Sequence, residues 1–167
     1  KIEPGLDDES LLGIRKQLEA SIGVSVSAGQ GLHGGDIAPW LDDAKAGIKW
    51  TYWDAYKNQL KSKGFGLEVI RVLDEDTDNI LTECGNPAME GGWCVKGLVM
   101  GDVQSGKTAS YCGLMSKAAD AGYKFIVLLT GMIEDLRAQS QERLDEGFVG
   151  RDSRELLDGK RATKPMG

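Results

Sequence analysis

A run of eight residues, "GDVQSGKT", has the residue types and the spacing needed to hold a chain of phosphate groups. It matches the pattern G-x-x-x-x-G-K-[ST], in which glycines at both ends let the loop curl until successive backbone N–H groups face one anion. Lys107 would reach the β- and γ-phosphates, and the Thr108 hydroxyl would bind Mg²⁺. The predicted nucleotide-binding residues are Gly101, Asp102, Val103, Gln104, Ser105, Gly106, Lys107 and Thr108.

The residues around this loop predict a strand before it and a helix after it. "GLVMG", residues 97–101, is a short apolar run bounded by glycines, which is typical of a strand buried on both faces. From Lys107 onward, apolar residues recur at helical spacing, and "KFIVLLT", residues 124–130, predicts a second buried strand. Strand, loop, helix and strand together have the length of about 30 residues that a βαβ unit requires.

A further helix is predicted over residues 131–148, with Arg137 and Gln139 on its polar side. In a nucleic-acid motor, such side chains at this place would contact the phosphate backbone of DNA. A solvated helix face stabilised by i,i+4 ion pairs explains the same residues, so both interpretations stay open.

The first part of the chain predicts helices without an evident catalytic group. We expect helices over residues 7–22, from Pro39 to about residue 63, and over residues 67–83, followed by a linker, "CGNPAMEGGW". The second of these helices carries an aromatic stripe that favours core or interface packing over base stacking, because few basic residues are interleaved with it.

Charge and composition limit the classes of function. Residues 1–90 carry 9 Lys and Arg against 16 Asp and Glu, whereas residues 91–167 carry 11 against 10, so the first part would repel a phosphate backbone. The three cysteines lack C-x-x-C spacing and there is one histidine, which favours reduced thiols over a zinc site. No apolar run is long enough for a membrane span, and we expect a cytoplasmic protein.

These patterns together predict an α/β fold. Residues 1–90 would form an acidic helical segment, and residues 91–167 the opening part of a P-loop NTPase parallel sheet, in the order β, P-loop, α, β, α. Two strands leave sheet edges and faces uncovered, so the chain should either pack them on its helical part or self-associate.

Beyond the phosphate loop, the longer segment "GLVMGDVQSGKTASYCGLMSKAADAGYKFIVLLTGMIEDLRAQSQERLDEGFVG" resembles the bacterial Z-one domain endonucleases. That family is similar to superfamily-two helicase-like ATPases and occurs in restriction and phage-defence loci. The resemblance implies that Lys107, as the catalytic lysine, and Thr108 serve ATP and Mg²⁺. It also implies that the segment containing Arg137 and Gln139 occupies the position of a helicase motif that often contacts double-stranded DNA.

Full members of that family are several times longer, so we expect an N-terminal fragment of a restriction-type ATPase or translocase. The nuclease site and the partners needed for hydrolysis would lie in its remaining domains or in other subunits, and this chain would bind ATP but hydrolyse it poorly. Two alternatives are a small-molecule or nucleotide kinase of the P-loop type and an interaction module with a degenerate P-loop. A kinase would need a lid and an acceptor pocket, which the fewer than 60 residues after the loop can hardly form.

Overall fold

A computed structural model describes residues 39–91, 94–100, 107–131 and 133–154, and the regular structure in these ranges is helical. The α-helices are α1 (Leu41–Ala44), α2 (Thr51–Ser62), α3 (Leu67–Thr82), α4 (Lys107–Ala121) and α5 (Glu134–Leu144). A 3₁₀ turn, Lys45–Gly47, follows α1, and a π-helical turn, Asp145–Val149, follows α5. The predicted helix over residues 7–22 lies outside the described residues.

The predicted α/β fold is wrong for the part of the chain that the structure describes. Residues 97–100 and 124–130 form no strand, and no parallel sheet of a P-loop NTPase is present in the described ranges. Phe125 and Leu129 are 84% and 89% exposed. A buried parallel strand needs hydrogen-bonded neighbours and covered faces, and the described residues supply neither to these apolar runs.

Helix α2 begins where α4 supplies an acceptor for its first backbone N–H groups. The carboxylate of Asp120 accepts hydrogen bonds from the backbone N–H of Tyr52 at 3.1 Å and of Trp53 at 2.9 Å. The first N–H groups of a helix have no partner within the helix, so Asp120 acts as a cap supplied from a distant part of the chain. This contact fixes the start of α2 against the end of α4.

The long helix predicted from Pro39 is interrupted. After the 3₁₀ turn, Ile48 adopts an extended conformation, and regular helix resumes only at Thr51. The aromatic residues before and after this break enter separate clusters of the core. The Trp40 cluster contains Trp40, Leu41, Leu81 and Ala118; the Trp53 cluster contains Trp53, Tyr56, Leu60, Ile70, Leu73 and Cys112.

Helix α3 lies close to its predicted position, and its buried residues follow helical spacing. Ile70, Leu73, Thr77 and Leu81 face the core, and the buried Thr77 hydroxyl donates to the Leu73 carbonyl oxygen at 2.6 Å. That hydrogen bond satisfies a polar group which would otherwise be costly to bury.

Helix α4 packs closely against α2 and α3 at Gly113. A Cβ atom at this position would lie 3.2 Å from Cζ3 of Trp53 and 3.3 Å from Cγ2 of Thr77. The absence of a side chain therefore lets the helices approach each other here. Because α4 contributes Cys112 and Ala118 to the two clusters, helices from both predicted segments share one packed arrangement. The division at residue 90 stays a prediction.

A buried lysine links α4 to α3. Lys117 is 1% exposed, and its Nζ contacts the carboxylates of Asp74 and Asp78 as well as the Asp74 carbonyl oxygen at 2.6 Å. The same Nζ lies 4.6 Å from the centre of the Trp53 ring, a cation–π distance. The sequence "VIRVLDEDTD" predicts a helix ending in a solvated acidic turn; the helix is confirmed, but Asp74 and Asp78 lie within it and pair with Lys117.

The π-helical turn after α5 is held by a buried carboxylate. Asp145 accepts hydrogen bonds from Nε2 of Gln141 at 2.8 Å and from both the backbone N–H and the hydroxyl of Ser153 at 2.9 Å. The turn reaches α2 through Phe148, whose ring stacks on Tyr52 with centroids 5.6 Å apart. The ring contact places the end of α5 beside α2.

Candidate functional site

The last two residues of the phosphate-loop motif open helix α4. Lys107 is the first residue of α4 and Thr108 follows it in the first turn, as the motif predicts. The first turn of α4 contains no acidic residue. The backbone N–H groups at a helix start have no partner within the helix, so these groups and the positive end of the helix dipole can attract an anion. Residues 101–106, which hold the rest of the motif, lie outside the described residues.

An arginine from the last turn of α5 contacts this helix start. Nη1 of Arg143 donates a hydrogen bond to Oγ1 of Thr108 at 3.0 Å. The structure thus brings Lys107, Thr108 and Arg143 to one place, although Arg143 lies 35 positions after Thr108 in the chain. The sequence pattern puts Arg143 on the polar side of α5 and contains no signal for this contact, which depends on how α5 packs.

Arg143 is positioned by close packing between the π-helical turn that follows α5 and helix α4. A Cβ atom at Gly147, in the π-helical turn, would lie 3.1 Å from Sγ of Cys112 on α4. Nε2 of Gln59 donates to the Glu146 carbonyl oxygen at 2.6 Å, and Nζ of Lys63 pairs with the Glu146 carboxylate at 2.6 Å. The end of α5 is therefore held between α2 and the start of α4.

Cys112 lies one turn after Thr108, but its environment argues against a nucleophilic role. Burial raises the pKa of the Cys112 thiol to about 11, while the nearby charges of Lys63 and Arg143 lower it by smaller amounts. Burial also raises the pKa of the neighbouring Tyr56 hydroxyl. A thiol held protonated near neutral pH is a poor nucleophile, so Cys112 belongs to the core.

Among the described residues, the motif assigns one protein oxygen as a ligand of Mg²⁺ at this site. Within the described ranges, no group of three or more His, Cys, Asp or Glu side chains could hold a metal ion. The half-buried Thr108 hydroxyl is the donor that the motif assigns to Mg²⁺. Mg²⁺ commonly keeps several waters and binds through few protein ligands together with substrate phosphates, so one hydroxyl fits an ion that arrives with a nucleotide.

The predicted DNA-contacting residues lie on an exposed part of α5. Arg137 and Gln139 are both exposed, and α5 contains no buried residue. Nη2 of Arg137 forms hydrogen bonds to both carboxylate oxygens of Glu134, at 2.6 and 2.7 Å, and this pairing raises the pKa of Arg137. The six-residue separation from Arg143 corresponds to about 9 Å along a helix, so Arg137 is away from the start of α4.

A shallow cleft between α2 and the π-helical turn is a separate feature. It has a volume of about 380 Å³ and is lined by residues that include Tyr52, Gln59, Glu146 and Phe148. Its lining contains no lysine or arginine that could attract phosphate, so this cleft does not extend the candidate site.

Comparison of the chain with family models, curated proteins and solved structures finds no match. The resemblance to the Z-one domain endonucleases therefore stays a prediction from the sequence. In the described ranges, no helix combines the length and the apolar character needed to span a bilayer.

Proposed function

We propose that this chain is the ATP-binding part of a DNA-dependent ATPase or translocase that serves a restriction-type endonuclease in phage defence. The observation that carries the proposal is the position of Lys107 and Thr108 at the start of α4, where the motif G-x-x-x-x-G-K-[ST] requires them. The proposal depends on the sequence motif and on the position of its last two residues at the start of α4, and not on a surrounding sheet.

In this role, the first turn of α4 receives the phosphates of ATP. Lys107 is exposed and reaches them with a compact positive charge, and Thr108 offers its hydroxyl to the accompanying Mg²⁺. Bound Mg²⁺ would neutralise part of the charge on the phosphates. The residues that hydrolysis further requires belong to the rest of the whole protein, so this chain binds ATP but turns it over slowly.

Nucleotide titration tests the ATP-binding part of the proposal. Titrating a fluorescent ATP analogue in Mg²⁺ buffer should give saturable binding to the wild-type chain. Lys107→Ala should weaken that binding at least about tenfold, because a hydrogen bond to a charged group contributes about 1.5–3 kcal/mol. Lys124→Ala removes another exposed lysine outside the motif and serves as the matched control.

Wild-type affinity retained by Lys107→Ala, or a wild-type chain that does not bind ATP, would contradict the proposal. The second result would favour the interaction module, our second candidate function. The exposed apolar side chains of residues 125–129 favour that candidate, because a surface patch of this kind is typical of an interaction site.

We assign the DNA contact to the exposed face of α5 that carries Arg137 and Gln139. Arg137 can exchange its bond to Glu134 for one to a backbone phosphate, because an exposed ion pair contributes little to stability. Fluorescence anisotropy with labelled duplex DNA should show weaker binding and a smaller salt dependence for Arg137→Ala. Equal binding by wild type and variant would leave α5 as a solvated surface helix.

A further inference from the structure

Arg143 differs in its partner from three other arginines of the described residues. Arg71, Arg137 and Arg154 each pair with a carboxylate. Arg143 forms no ion pair with a described carboxylate, and its hydrogen bond goes to the Thr108 hydroxyl. A guanidinium group has five N–H donors, so one bond to a neutral hydroxyl leaves most of its hydrogen-bonding capacity and all of its charge available.

The position of this charge matters because it lies at the start of α4. Thr108 belongs to the first turn of α4, where backbone N–H groups have no partner within the helix. The charge of Arg143 also acts on Cys112, which lies one turn further along α4. Burial raises the pKa of the Cys112 thiol, and the charges of Lys63 and Arg143 oppose that increase. A phosphate at this helix start would lie within reach of a planar, bidentate donor.

The Thr108 hydroxyl cannot hold Arg143 and a divalent cation in the same way at once. Arg143 donates to Oγ1 at 3.0 Å, and a Mg²⁺ ligand lies about 2.1 Å from the metal, so both cations would be within a few ångströms of each other. Their repulsion would be relieved if the guanidinium turned from the hydroxyl to a phosphate oxygen. Arg143 is exposed, so the surrounding core does not prevent that rotation.

We infer that Arg143 is a further phosphate-binding residue of the ATP site, and that it leaves the Thr108 hydroxyl when Mg²⁺ and ATP bind. The inference rests on the proposed function, since it assigns a role within the same site. It adds a residue outside the loop motif, contributed by the last turn of α5.

Nucleotide titration of Arg143 variants, in Mg²⁺ buffer and again with EDTA, tests this assignment. Arg143→Ala should weaken binding of the ATP analogue about tenfold and reduce the salt dependence of that binding. Arg143→Lys should recover part of the affinity, because it keeps the charge but loses the planar fork. Arg71→Ala, which removes another exposed arginine, on α3, should change the affinity less than twofold.

A double variant distinguishes direct contact between Arg143 and phosphate from a role of Arg143 that acts through Thr108. In Thr108→Val, which removes the hydroxyl, the added substitution Arg143→Ala should still weaken binding about tenfold. If that loss disappears in the Thr108→Val background, or if Arg143→Ala alone binds like the wild type, Arg143 is not a phosphate contact. Thermal unfolding without nucleotide should be unchanged in Arg143→Ala, because the side chain is exposed.

The controls distinguish failure of the inference from failure of the proposed function. Loss of binding in Lys107→Ala with normal binding in Arg143→Ala would overturn only the role of Arg143. Absence of ATP binding by the wild-type chain would overturn both.

Discussion

The cysteines of the described residues differ in burial and therefore in expected reactivity. Cys112 is buried in the Trp53 cluster, Cys84 is half-buried and Cys94 is exposed, and all are free thiols. Burial raises the pKa of Cys84 as well as that of Cys112. Because Cys94 is exposed and the other two thiols are more buried and harder to ionise, Cys94 should react first with a thiol reagent.

The buried Cys112 thiol should make the protein less stable at alkaline pH. Its pKa rises from 9.0 to about 11 on folding, so its contribution to stability is complete below pH 9 and is lost as the pH rises towards 11. In this window the unfolded chain releases the proton while the folded chain keeps it. The free energy of unfolding should fall by up to about 1.4 kcal/mol per pH unit from this group.

Urea unfolding of the wild type and of Cys112→Ala between pH 8 and 10 measures this effect. The range ends at pH 10, the ordinary pKa of tyrosine, which limits the contribution of Tyr56 and Tyr123, whose pKa values burial also raises. The slope of stability against pH should be smaller in Cys112→Ala, whatever its absolute stability. Equal slopes would show that Cys112 does not cause the alkaline loss.

At the scale of residues, the sequence predicts local relationships better than distant ones. The motif places Lys107 and Thr108 at a helix start because this depends only on neighbouring residues, and the structure confirms it. The contact between Arg143 and Thr108 and the pairing of Lys117 with Asp78 depend on how whole helices pack. No spacing within a single helix contains that information.

At the scale of elements, the helical predictions succeeded where one apolar face has a partner. α3 and α4 bury residues at i, i+3 and i+4 spacing against each other and against α2. The predicted strands failed because an apolar run indicates only that a segment is suited to burial. Whether it forms a strand depends on a hydrogen-bonded neighbour, which the described residues do not supply.

The break before α2 shows a different limitation. Apolar residues on both sides of residues 48–50 continue an approximately helical pattern, so periodicity predicts one long helix. The structure ends the first part at Gly47 and starts α2 at Thr51, with Asp120 supplying the cap. Because the cap comes from α4, the residues near the break do not reveal it.

The close approach at Gly113 predicts a marked effect of substitution within α4. Gly113→Val should lower the free energy of unfolding by about 1–3 kcal/mol, because its Cβ would be 3.2 Å from the Trp53 ring and its methyl groups closer still. The helices would have to separate to accept it. Urea unfolding followed by Trp fluorescence reports directly on this region.

Gly97→Val is the matched control, since a Cβ atom at Gly97 would meet nothing within 4 Å. It should change stability by less than about 0.5 kcal/mol, as expected for a surface substitution. Similar destabilisation by both variants would mean that the contact at Gly113 is not the cause.

At the scale of the whole molecule, the apolar residues 125–129 are not covered by the described helices. Their side chains range from 37% to 89% exposed. The sequence predicts that such segments either pack on the helical part or self-associate, and the structure does not show the packing on the described helices. We therefore propose self-association through this segment, because an exposed apolar patch tends to be buried between molecules.

Sedimentation velocity over a range of protein concentrations tests this proposal. The wild type should form dimers or larger species, and the double substitution Phe125→Lys with Leu129→Lys should shift the population towards monomer. Leu67→Lys alters another exposed apolar residue, at the start of α3, and should leave the distribution unchanged. A wild-type chain that stays monomeric at high concentration would contradict the proposal.

The cap that Asp120 provides for α2 has a consequence for synthesis on the ribosome. Trp53 emerges 67 positions before the residue whose carboxylate receives its backbone N–H. Until α4 has left the exit tunnel, the first turn of α2 must satisfy its N–H groups with water. The helix can therefore settle into its final form only after the chain beyond Asp120 has been made.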